Sequence, residues 1–507
     1  MSNRKTLKTR KSNLERCLPN LWATLFVFAI VSSQPSVFAA GVSDSDITDW
    51  VKDALYQDVR VDSYDINVST TNGVVMLTGS VSNLASKKYA DLEAKKIDGV
   101  LGVINEITVS PGWRSDTDIR NAVRRRILNS SVIESEGIHV QCVDGKVTLS
   151  GKVDSYSQKR EAGLLASEVR GVKDVENNIT IEWTSERSDD EIESDAVAAL
   201  KRDVYLTDLP ITVTVKDAVV TLEGTVGSAY EKDRVYDDVR WIRNVESVNN
   251  KLKVEWWAKR GAREVIPSPS DADLRKAVRE ELDQDMRLDT SDISVKASYG
   301  SVTLDGTVYS HYEKRVAGQD ARNVVGVGWV VNNLFTRVDT REDWAILDDV
   351  QFNLNTDAIT EGFDIAVKVN DGVVTLNGNV NTWYERLHAE DVAGKVRGVR
   401  RVINQIEVNR ETTRTHTAAM VAKNIREHFK RNWAVRPVYD RINVTVKNGV
   451  ATLTGEVDTW AQRRQAEEVA FNTEGIWKVD NRLQVKGYDY NWEDWYSGAY
   501  YRPWYPW

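Results

Sequence analysis

The sequence is poor in the residues that cross-link chains, bind metals or break helices. Its 507 residues include two cysteines, nine prolines and five histidines. Only Cys142 lies beyond residue 40, so no disulfide can form within that part of one chain. The histidines (His139, His311, His388, His416 and His428) show no metal-ligand spacing, and no GxxxxGK[ST] loop is present. Composition therefore disfavours disulfide scaffolds, zinc sites and P-loop nucleotide binding, and neither a metal nor a cofactor is expected.

Long apolar runs are also missing, except for one near the start of the chain. The run Leu21–Val31 has 11 residues, whereas a membrane-spanning helix needs about 20. It follows a basic segment and precedes Val37-Phe38-Ala39-Ala40, a small-residue cleavage pattern. Residues 1–40 are therefore predicted to be a secretory signal peptide, cleaved after Ala39 or Ala40, which implies export to the periplasm. The alternative interpretation is an uncleaved membrane anchor.

The chain also lacks an excess of positive charge. Residues 1–40 carry six basic and one acidic residue, so the remainder has 61 Lys+Arg and 75 Asp+Glu, a net charge of −14. Non-specific nucleic-acid binding requires a basic surface and is therefore disfavoured. We expect no nucleic-acid partner.

What the chain does contain is one pattern repeated six times. Each copy has an anchoring glycine in a Val-x-Leu-x-Gly-x-Val-like run: Gly79, Gly151, Gly224, Gly306, Gly378 and Gly455. The glycines are separated by 72, 73, 82, 72 and 77 residues, and such internal periodicity defines repeat architectures. In Asp371-Gly372, six residues before its anchor, Asx-Gly between two apolar runs indicates a β-hairpin turn.

Helical and strand patterns surround each hairpin. Upstream helices are expected to begin at Ser43, Ser115, Ser188 and Ser270, each followed by Asp. A second helix is expected to begin four residues after each anchor, at Asn83, Ser155, Ser228, Ser310, Thr382 and Thr459. Five of these six have Glu or Gln three residues later, which predicts a capping box. A third strand follows and contains an Asn in every repeat: Asn105, Asn177, Asn250, Asn332, Asn404 and Asn481. This Asn is expected to bond backbone groups.

The unit is thus helix–strand–strand–helix–strand, repeated in tandem, and the fold class is α+β. The predicted boundaries are 1–40 for the signal peptide; 43–110, 115–183, 188–256, 270–338, 340–409 and 413–486 for the repeats; and 488–507 for an aromatic tail. Each unit has about 70 residues, a size at which domains can fold alone. As in other repeat proteins, each unit is expected to contact mainly its neighbours along the chain.

The repeat resembles the BON domain, named for bacterial osmotically inducible protein Y and nodulation proteins. The matching residues are the Val-x-Leu-x-Gly-x-Val hairpin, the capped helix and the Gly-Val-x-x-Val-x-Asn strand, and they extend over about residues 45–486. Only the third repeat departs, with Ala218 and Asn244 in place of glycines. The resemblance implies small α/β sandwiches of two helices on a three-stranded mixed sheet. It also implies a bacterial cell-envelope protein, with phospholipid contact or periplasmic chaperone work, and it supplies no catalytic residues.

A basic residue lies eight positions after every anchor. These residues are Lys87, Lys159, Lys232, Lys314, Arg386 and Arg463. A cation early in a helix opposes the helix dipole, so a phosphate contact at the helix start is one interpretation. The alternative is a side chain that lies along the sheet edge and pairs with a neighbouring carboxylate.

Aromatic residues are the other candidates for contact with a membrane interface. Trp383 and Trp460 begin second helices, and Trp504 and Trp507 lie in the tail, where ten of twenty residues are Tyr or Trp. Such side chains suit a membrane–water interface, but packing against the sheet or the next repeat explains the helix-start aromatics as well. For the tail, the alternatives are covering the sixth repeat, docking to a partner or membrane, and disorder without function.

The sequence therefore predicts an exported, non-enzymatic array that contacts membrane phospholipids or envelope proteins through several weak sites and supports envelope integrity or a stress response. Repetition increases avidity, because a second site binds at high effective concentration once the first is occupied. The alternatives are a periplasmic holdase-type chaperone and an enzyme with an unrecognised site.

Overall fold

The computed structural model describes residues 42–133, 137–182, 187–206, 209–255, 258, 269–337, 341–409 and 417–487. The predicted signal peptide and the aromatic tail lie outside these residues. The described residues contain twelve α-helices and 23 strands, numbered in chain order. In this part of the chain, no helix combines the length and the apolar character that crossing a bilayer requires.

Every repeat contains two helices. The first helices are α1 (Asp44–Gln57), α3 (Asp116–Asn129), α5 (Asp189–Arg202), α7 (Asp271–Gln284), α9 (Asp343–Thr356) and α11 (Ala418–Arg431). The second helices are α2 (Leu84–Lys95), α4 (Tyr156–Ser167), α6 (Ala229–Arg240), α8 (His311–Asn323), α10 (Trp383–Gly394) and α12 (Trp460–Asn472). The sixth repeat has an additional 3₁₀ helix, Arg436–Arg441, before its hairpin.

A hairpin lies between the two helices of each repeat, and a third strand follows the second helix. The hairpins are β1 (Ile66–Thr71) with β2 (Val74–Val81), β5 (Ile138–Val143) with β6 (Lys146–Val153), β8 (Ile211–Lys216) with β9 (Val219–Val226), β12 (Ile293–Ser298) with β13 (Ser301–Val308), β16 (Ala366–Asn370) with β17 (Val373–Asn377), and β21 (Ile442–Lys447) with β22 (Val450–Val457). The third strands are β3 (Gly102–Asn105), β7 (Asp174–Ile181), β10 (Ser247–Asn250), β14 (Trp329–Asn332), β19 (Arg401–Asn404) and β23 (Lys478–Val485). Short strands extend some sheets: β4 (Thr108–Val109), β11 (Lys253–Val254), β15 (Phe335–Thr336), β18 (Asn379–Val380) and β20 (Glu407–Val408).

Four hairpins turn at Asx-Gly pairs, as predicted, whereas the third turns at Asp217-Ala218 and the fourth at Tyr299-Gly300. In the fifth repeat, Asp371 and Gly372 have φ of 50° and 68°, and Asn370 pairs with Val373 across the two-residue turn. Positive φ at both positions matches the right-handed twist of the strands. The third strand then pairs in parallel with the second hairpin strand, as Leu376 does with Asn404. The main sheet of each repeat is therefore mixed, with the second hairpin strand at its centre, and the predicted α+β tandem repeat is confirmed.

The core of each repeat is centred on the leucine two residues before the anchor. Those residues are Leu77, Leu149, Leu222, Leu304, Leu376 and Leu453, and all are 0% exposed. Burial of one such side chain contributes about 1.5–3 kcal/mol. Some cores are continuous between repeats, because buried residues of the third and sixth repeats form one cluster, and those of the first and second form another.

The predicted serine caps are present, and in four repeats the Asp that begins the first helix has a second role. Ser115 accepts a hydrogen bond from the Asp118 N–H. Asp343 accepts hydrogen bonds of 2.8 Å from the backbone N–H groups of Asp371 and Gly372, so its carboxylate fixes the hairpin turn to the helix start. Asp44, Asp116 and Asp189 do the same in the first three repeats.

The predicted second-helix caps are also present, but the capping boxes are fewer than the sequence indicated. Thr382 with Glu385 and Thr459 with Gln462 form the reciprocal pair. In the third repeat, the carboxylate of Glu231 instead accepts from the Gly227 N–H, one residue before the cap.

The repeats do not contact mainly their neighbours, so that expectation is wrong. Antiparallel β-bridges join the first repeat to the sixth, the second to the fifth and the third to the fourth. The bridges are Asp58–Thr473, Ile97–Asn432, Ser130–Val396, Val169–Asp357, Asp203–Val324 and Ile242–Asp285. Sequence periodicity carries no information about this pairing, because it depends on surfaces that only the folded repeats present.

Candidate functional site

The basic position of the second helix faces the third strand of its own repeat. Arg386 donates from Nε to the Ile406 carbonyl at 2.8 Å and from Nη2 to the Asn404 carbonyl at 2.6 Å. Arg463 makes the corresponding bonds to Leu483 (3.2 Å) and Asn481 (2.9 Å). In these two repeats the guanidinium therefore covers carbonyls at the edge of the sheet, a location where exposed backbone invites unwanted strand pairing. This favours the sheet-edge interpretation for Arg386 and Arg463.

The repeated Asn lies on the same contact. Asn404 donates from Nδ2 to the Arg386 carbonyl at 2.7 Å and accepts at Oδ1 from the Ile406 N–H at 3.2 Å. The equivalent carbonyl bonds in the other repeats run from Asn105, Asn177, Asn250, Asn332 and Asn481 to Lys87, Lys159, Lys232, Lys314 and Arg463. The predicted backbone role of the Asn is confirmed. It fixes the helix start to the third strand, so this polar residue is structural in all six repeats.

The lysines at the basic position are only half-buried. Lys87, Lys159, Lys232 and Lys314 lie on the first turns of their helices. Among them, Lys314 lines a cleft of about 750 Å³ between the fourth and fifth repeats. The other three stay candidates for phosphate contact on their own repeats.

The aromatic candidates have different environments. Trp383 is half-buried and stacks on Trp477 of the sixth repeat, with ring centroids 5.2 Å apart. Trp460 is 4% exposed and belongs to the core shared by the third and sixth repeats. Both geometries favour packing between and within repeats over a membrane interface. Trp504 and Trp507 lie outside the described residues.

A cleft of about 750 Å³ separates the fourth and fifth repeats. We call it the 4–5 cleft. Its walls are β14 and α8 on one side and α10 with the start of β19 on the other. The Thr336 hydroxyl donates to the Arg400 carbonyl at 2.8 Å and joins the two walls. Apolar side chains, among them Val331, Leu387 and the 72% exposed Phe335, line much of the surface. The volume lies within the range of about 300–1,000 Å³ that small-molecule sites occupy.

The 4–5 cleft is cationic, although the chain is acidic. Its lining contains six Lys or Arg residues and three Asp or Glu residues, in a chain of net charge −9. The six cations are Lys314, Arg315, Arg322, Lys395, Arg400 and Arg401. The three anions are Asp371, Glu390 and Asp391.

The cations differ in whether they already form ion pairs with carboxylates of the protein. Deep in the cleft, Arg315 pairs with Asp391, and Lys395 contacts Glu168 of the second repeat at 2.7 Å. Burial by itself lowers the pKa of Lys395, but the carboxylates of Glu168 and Glu161 raise it above its ordinary value, so the amine stays charged. At the mouth, Arg400 contacts Asp371 at 2.8 Å, whereas Arg401 is exposed to solvent. The mouth therefore offers an accessible guanidinium to an anion.

Sequence reasoning missed this site because the two walls belong to different repeats. One signal was present. Arg400-Arg401 begins the third strand of the fifth repeat, where the other repeats have Leu101-Gly102, Lys173-Asp174, Glu246-Ser247, Gly328-Trp329 and Trp477-Lys478. A pair of arginines that departs from its own repeat pattern is the kind of local exception that marks function. The described residues contain no group of three His, Cys, Asp or Glu that could hold a metal ion.

Comparison with known proteins agrees with the resemblance to BON domains. A family model described as BON domain matches residues 43–111, 115–182, 188–255, 270–337, 343–410 and 417–487. Osmotically-inducible protein Y of Escherichia coli (strain K12) is 32% identical over 193 residues, covering 34% of this chain and 96% of that protein. Outer membrane lipoprotein DolP of Haemophilus influenzae is 29% identical over 168 residues, covering 32% of this chain and 86% of that protein.

Two further similarities are weaker. The 21 kDa hemolysin of Actinobacillus pleuropneumoniae is 32% identical over 115 residues, covering 22% of this chain and 59% of that protein. Among solved structures, the C-terminal domain of CdsD, a structural protein of the type III secretion system of Chlamydia trachomatis, is 16% identical. The match covers 43% of this chain and 99% of that domain with a TM-score of 0.12, which is too low to carry an argument.

Proposed function

The chain belongs to the BON-domain family, and from this we propose that it is a binding protein of the bacterial cell envelope that holds anionic phospholipid headgroups in the 4–5 cleft. The observation that carries the proposal is the cationic, partly apolar cleft in an otherwise acidic protein. The names of two relatives, an outer membrane lipoprotein and an osmotically inducible protein, support an envelope location and a stress-related role. The export signal predicted for residues 1–40 agrees with a periplasmic location.

The chemistry of the cleft suits an amphiphilic anion. A guanidinium binds phosphate through two parallel N–H donors, and Arg401 presents its guanidinium at an open mouth. Phe335 and Val331 provide an apolar surface beside it, which an acyl chain or a glycerol backbone can cover. Lys314, at the basic position that recurs in every second helix of this chain, supplies a further cation on the opposite wall. The residues of the cleft bind and orient, and we assign them no catalytic step.

Contacts on other repeats add avidity to this site. Lys87, Lys159 and Lys232 are the remaining lysines at the basic position, and each can approach a phosphate at the start of its helix. Arg386 and Arg463 are weaker candidates, because their guanidinium groups donate to backbone carbonyls. We therefore propose one principal lipid site, the 4–5 cleft, with weaker contacts on other repeats. This differs from an array of six equivalent sites, one on each repeat.

Vesicle co-sedimentation tests the proposal. The mature protein is expected to bind phosphatidylcholine vesicles that contain phosphatidylglycerol and to bind pure phosphatidylcholine much less. The double variant Arg400→Gln/Arg401→Gln is expected to bind about tenfold more weakly, since a hydrogen bond to a charged group contributes about 1.5–3 kcal/mol. Lys368→Gln is the matched control, because Lys368 is an exposed cation of the same repeat that does not line the cleft. Equal losses in the two variants would remove the cleft from the proposal.

Two further measurements separate the alternatives. Competition by inorganic phosphate distinguishes a site for free phosphate from one that needs the whole lipid. An aggregation-suppression assay on the same preparations addresses the holdase alternative. Vesicle binding without suppression supports the adaptor, and suppression without vesicle binding supports the chaperone.

A further inference from the structure

The contact between the third and fourth repeats leaves a cavity of about 150 Å³, which we call the 3–4 cavity. Two β-bridges, Asp203–Val324 and Ile242–Asp285, join these repeats. In every pair the bridges join the same backbone patch of each repeat, which consists of the residues that follow its two helices. Ile242 and Asp285 also line the cavity, together with Leu92 of the first repeat. A cavity of this volume accepts a ligand of about six non-hydrogen atoms, the size of benzene.

The lining of the 3–4 cavity is acidic. It contains six carboxylates and two guanidinium groups, the reverse of the balance in the 4–5 cleft. The third repeat contributes Asp233, Asp237 and Asp238, and the fourth contributes Glu281, Asp285 and Asp320. The guanidinium groups are those of Arg234 and Arg287, and the apolar side chains include Leu92, Ala199 and Ile242. The cavity therefore presents negative charge on two walls, one from each repeat, with apolar surface beside them.

The ion pairs around the cavity do not compensate all of this charge. Three of the six carboxylates each contact a separate cation: Asp233 with Lys95 at 2.6 Å, Asp237 with Arg240 at 2.5 Å, and Glu281 with Arg202 at 3.0 Å. The remaining contacts are Arg234 with Asp203 at 2.5 Å and with Asp238 at 3.2 Å, and Arg287 with Asp285 and, at 3.1 Å, with Asp320. Because each of these two guanidinium groups is shared by two carboxylates, each wall has one surplus negative charge.

Asp238 and Asp320 are the surplus carboxylates of the two walls. Burial is the main cause that raises the pKa of both groups well above the ordinary value, and the shared guanidinium groups of Arg234 and Arg287 only partly oppose it. Each wall therefore favours neutralisation of its surplus charge by a proton or by a further cation.

Unpaired acceptor atoms belong to the same lining. Asp320 is 5% exposed, and among the described residues its Oδ2 atom has no hydrogen-bond partner. The same holds for Oε1 of Gln319 in this part of the chain. Both residues line the 3–4 cavity, and both atoms are acceptors, so a ligand that satisfies them must be a hydrogen-bond donor.

The charge pattern is an exception among the repeats. Asp238 and Asp320 both lie fourteen residues after the anchoring glycine, on the second helix. The other repeats have Glu93, Leu165, Val392 and Val469 at this position. Only the pair formed by the third and fourth repeats therefore has a carboxylate there on both sides, and such a departure from a local pattern is expected at a functional site.

We propose that the 3–4 cavity binds a short aliphatic diamine, with one ammonium group on Asp238 and the other on Asp320. Two positive charges match the two surplus carboxylates. An ammonium has three donors, so the one at Asp320 can also donate to Oε1 of Gln319. The methylene carbons lie against Leu92 and Ile242. Diamine binding at these carboxylates does not depend on lipid binding in the 4–5 cleft.

The chemistry of the lining favours an organic cation over a metal ion. In the part of the chain that the structure describes, no three of these carboxylates converge closely enough to hold a metal ion. An extended diamine can instead reach both walls, and its apolar middle suits the aliphatic side chains of the lining.

Isothermal titration calorimetry of the mature protein with putrescine (1,4-diaminobutane) tests the proposal. One putrescine is expected to bind per chain. Butylamine, which has the same carbon chain and one ammonium group, is expected to bind at least about tenfold more weakly, because one charged contact is lost. 1,4-Butanediol, which has no charge, is expected not to bind. Absence of putrescine binding, equal binding of butylamine, or equal displacement of putrescine by the same concentration of magnesium chloride overturns the proposal.

A variant then locates the site. Asp238→Asn/Asp320→Asn removes both surplus charges at nearly constant shape, and it is expected to bind putrescine at least about tenfold more weakly. Asp283→Asn is the matched control, because Asp283 is an exposed carboxylate of α7 that does not line the cavity. Unchanged affinity in the double variant, or an equal loss in the control, places the amine elsewhere and overturns the proposal. If the double variant does not fold, the amine series on the wild-type protein decides the question by itself.

Discussion

Arg126 and Asp357 form a buried ion pair between repeats that are distant in sequence. Nη1 of Arg126 lies 3.3 Å from the Asp357 carboxylate, and the two side chains are 1% and 0% exposed. Burial by itself raises the pKa of Asp357, but His388 and Arg126 hold it below its ordinary value. The carboxylate is therefore charged at neutral pH, and it joins the second repeat to the fifth.

Removing one partner of this pair should destabilise the contact strongly. Asp357→Asn leaves the Arg126 guanidinium buried with less compensation, so we expect a loss of about 3–5 kcal/mol in urea unfolding. Asp348→Asn, on the helix that Asp357 follows, is the matched control, because Asp348 is 68% exposed and also contacts an arginine, Arg125. The control should cost less than about 1 kcal/mol. Similar losses in the two variants would contradict the role assigned to Asp357.

The contact between the first and sixth repeats should weaken in acid because of His428. This side chain is half-buried near Glu93, Arg431, Asp53 and Glu427, and its partial desolvation lowers its pKa to about 4. In the unfolded chain the His428 imidazole has a pKa near 6.5, so on acidification it is protonated there before it is protonated in the folded protein. The contribution of neutral His428 to the free energy of unfolding is therefore fully present above pH 6.5 and is lost between about pH 6.5 and 4. The expected loss is on the order of 3 kcal/mol.

The control for this prediction comes from the chain itself. Asn353 occupies the equivalent helix position in the fifth repeat, so His428→Asn should fold and should remove this part of the pH dependence. Thermal melts of both proteins at pH 7, 5.5 and 4 provide the measurement. A wild-type melting temperature that stays level from pH 7 to 4, or an unchanged slope in His428→Asn, would refute the assignment.

The anchoring glycine should tolerate no side chain. At Gly306, φ is +128° and a Cβ atom would lie 1.9 Å from the Asp292 carbonyl oxygen. Gly306→Ala should therefore cost several kcal/mol, as strained backbone and a steric overlap add. Gly362→Ala is the control, because nothing lies within 4 Å of the added carbon. Limited proteolysis should show opening of the fourth repeat first, together with its partner, the third. Uniform cleavage over all repeats would contradict this order.

The elements inside a repeat could be predicted because local chemistry determines them. Asp371-Gly372 requires a turn with positive φ, Thr382 is suited to capping a helix, and Leu376 alternates onto the buried face. The capping boxes were overestimated, because a carboxylate such as that of Glu231 can accept from the N–H of Gly227, one residue before the cap, instead. Neither the 4–5 cleft nor the pairing of Ser130 with Val396 could be predicted, since both depend on how folded surfaces fit together.

The pairing between repeats also affects the stability expected of an isolated repeat. The second repeat has its own buried core, with Val123 and Leu149 fully covered, so a fragment of residues 115–183 is still expected to fold. Arg126 and Glu168 lose their partners Asp357 and Lys395 in that fragment. Its melting temperature should therefore be lower than that of the same repeat within the chain. Adding a fragment of residues 341–409, the fifth repeat, should give a one-to-one complex and raise the melting temperature.

The matched control is a fragment of residues 269–337. It is the fourth repeat, which presents the same backbone patch but pairs with the third. It has Asn323 in place of Lys395 and Ala277 in place of Asp349, so the ion pairs that the fifth repeat makes with Glu168 and Arg125 of the second are not reproduced. Because the backbone bonds are shared, any affinity for the second repeat should be present but weaker, by about tenfold or more if one buried charge contact is lost. Isothermal titration calorimetry of both mixtures measures the difference. Equal affinities would mean that the backbone patch alone determines pairing, and no binding by either fragment would mean that the pairs form only when the connecting chain holds them together.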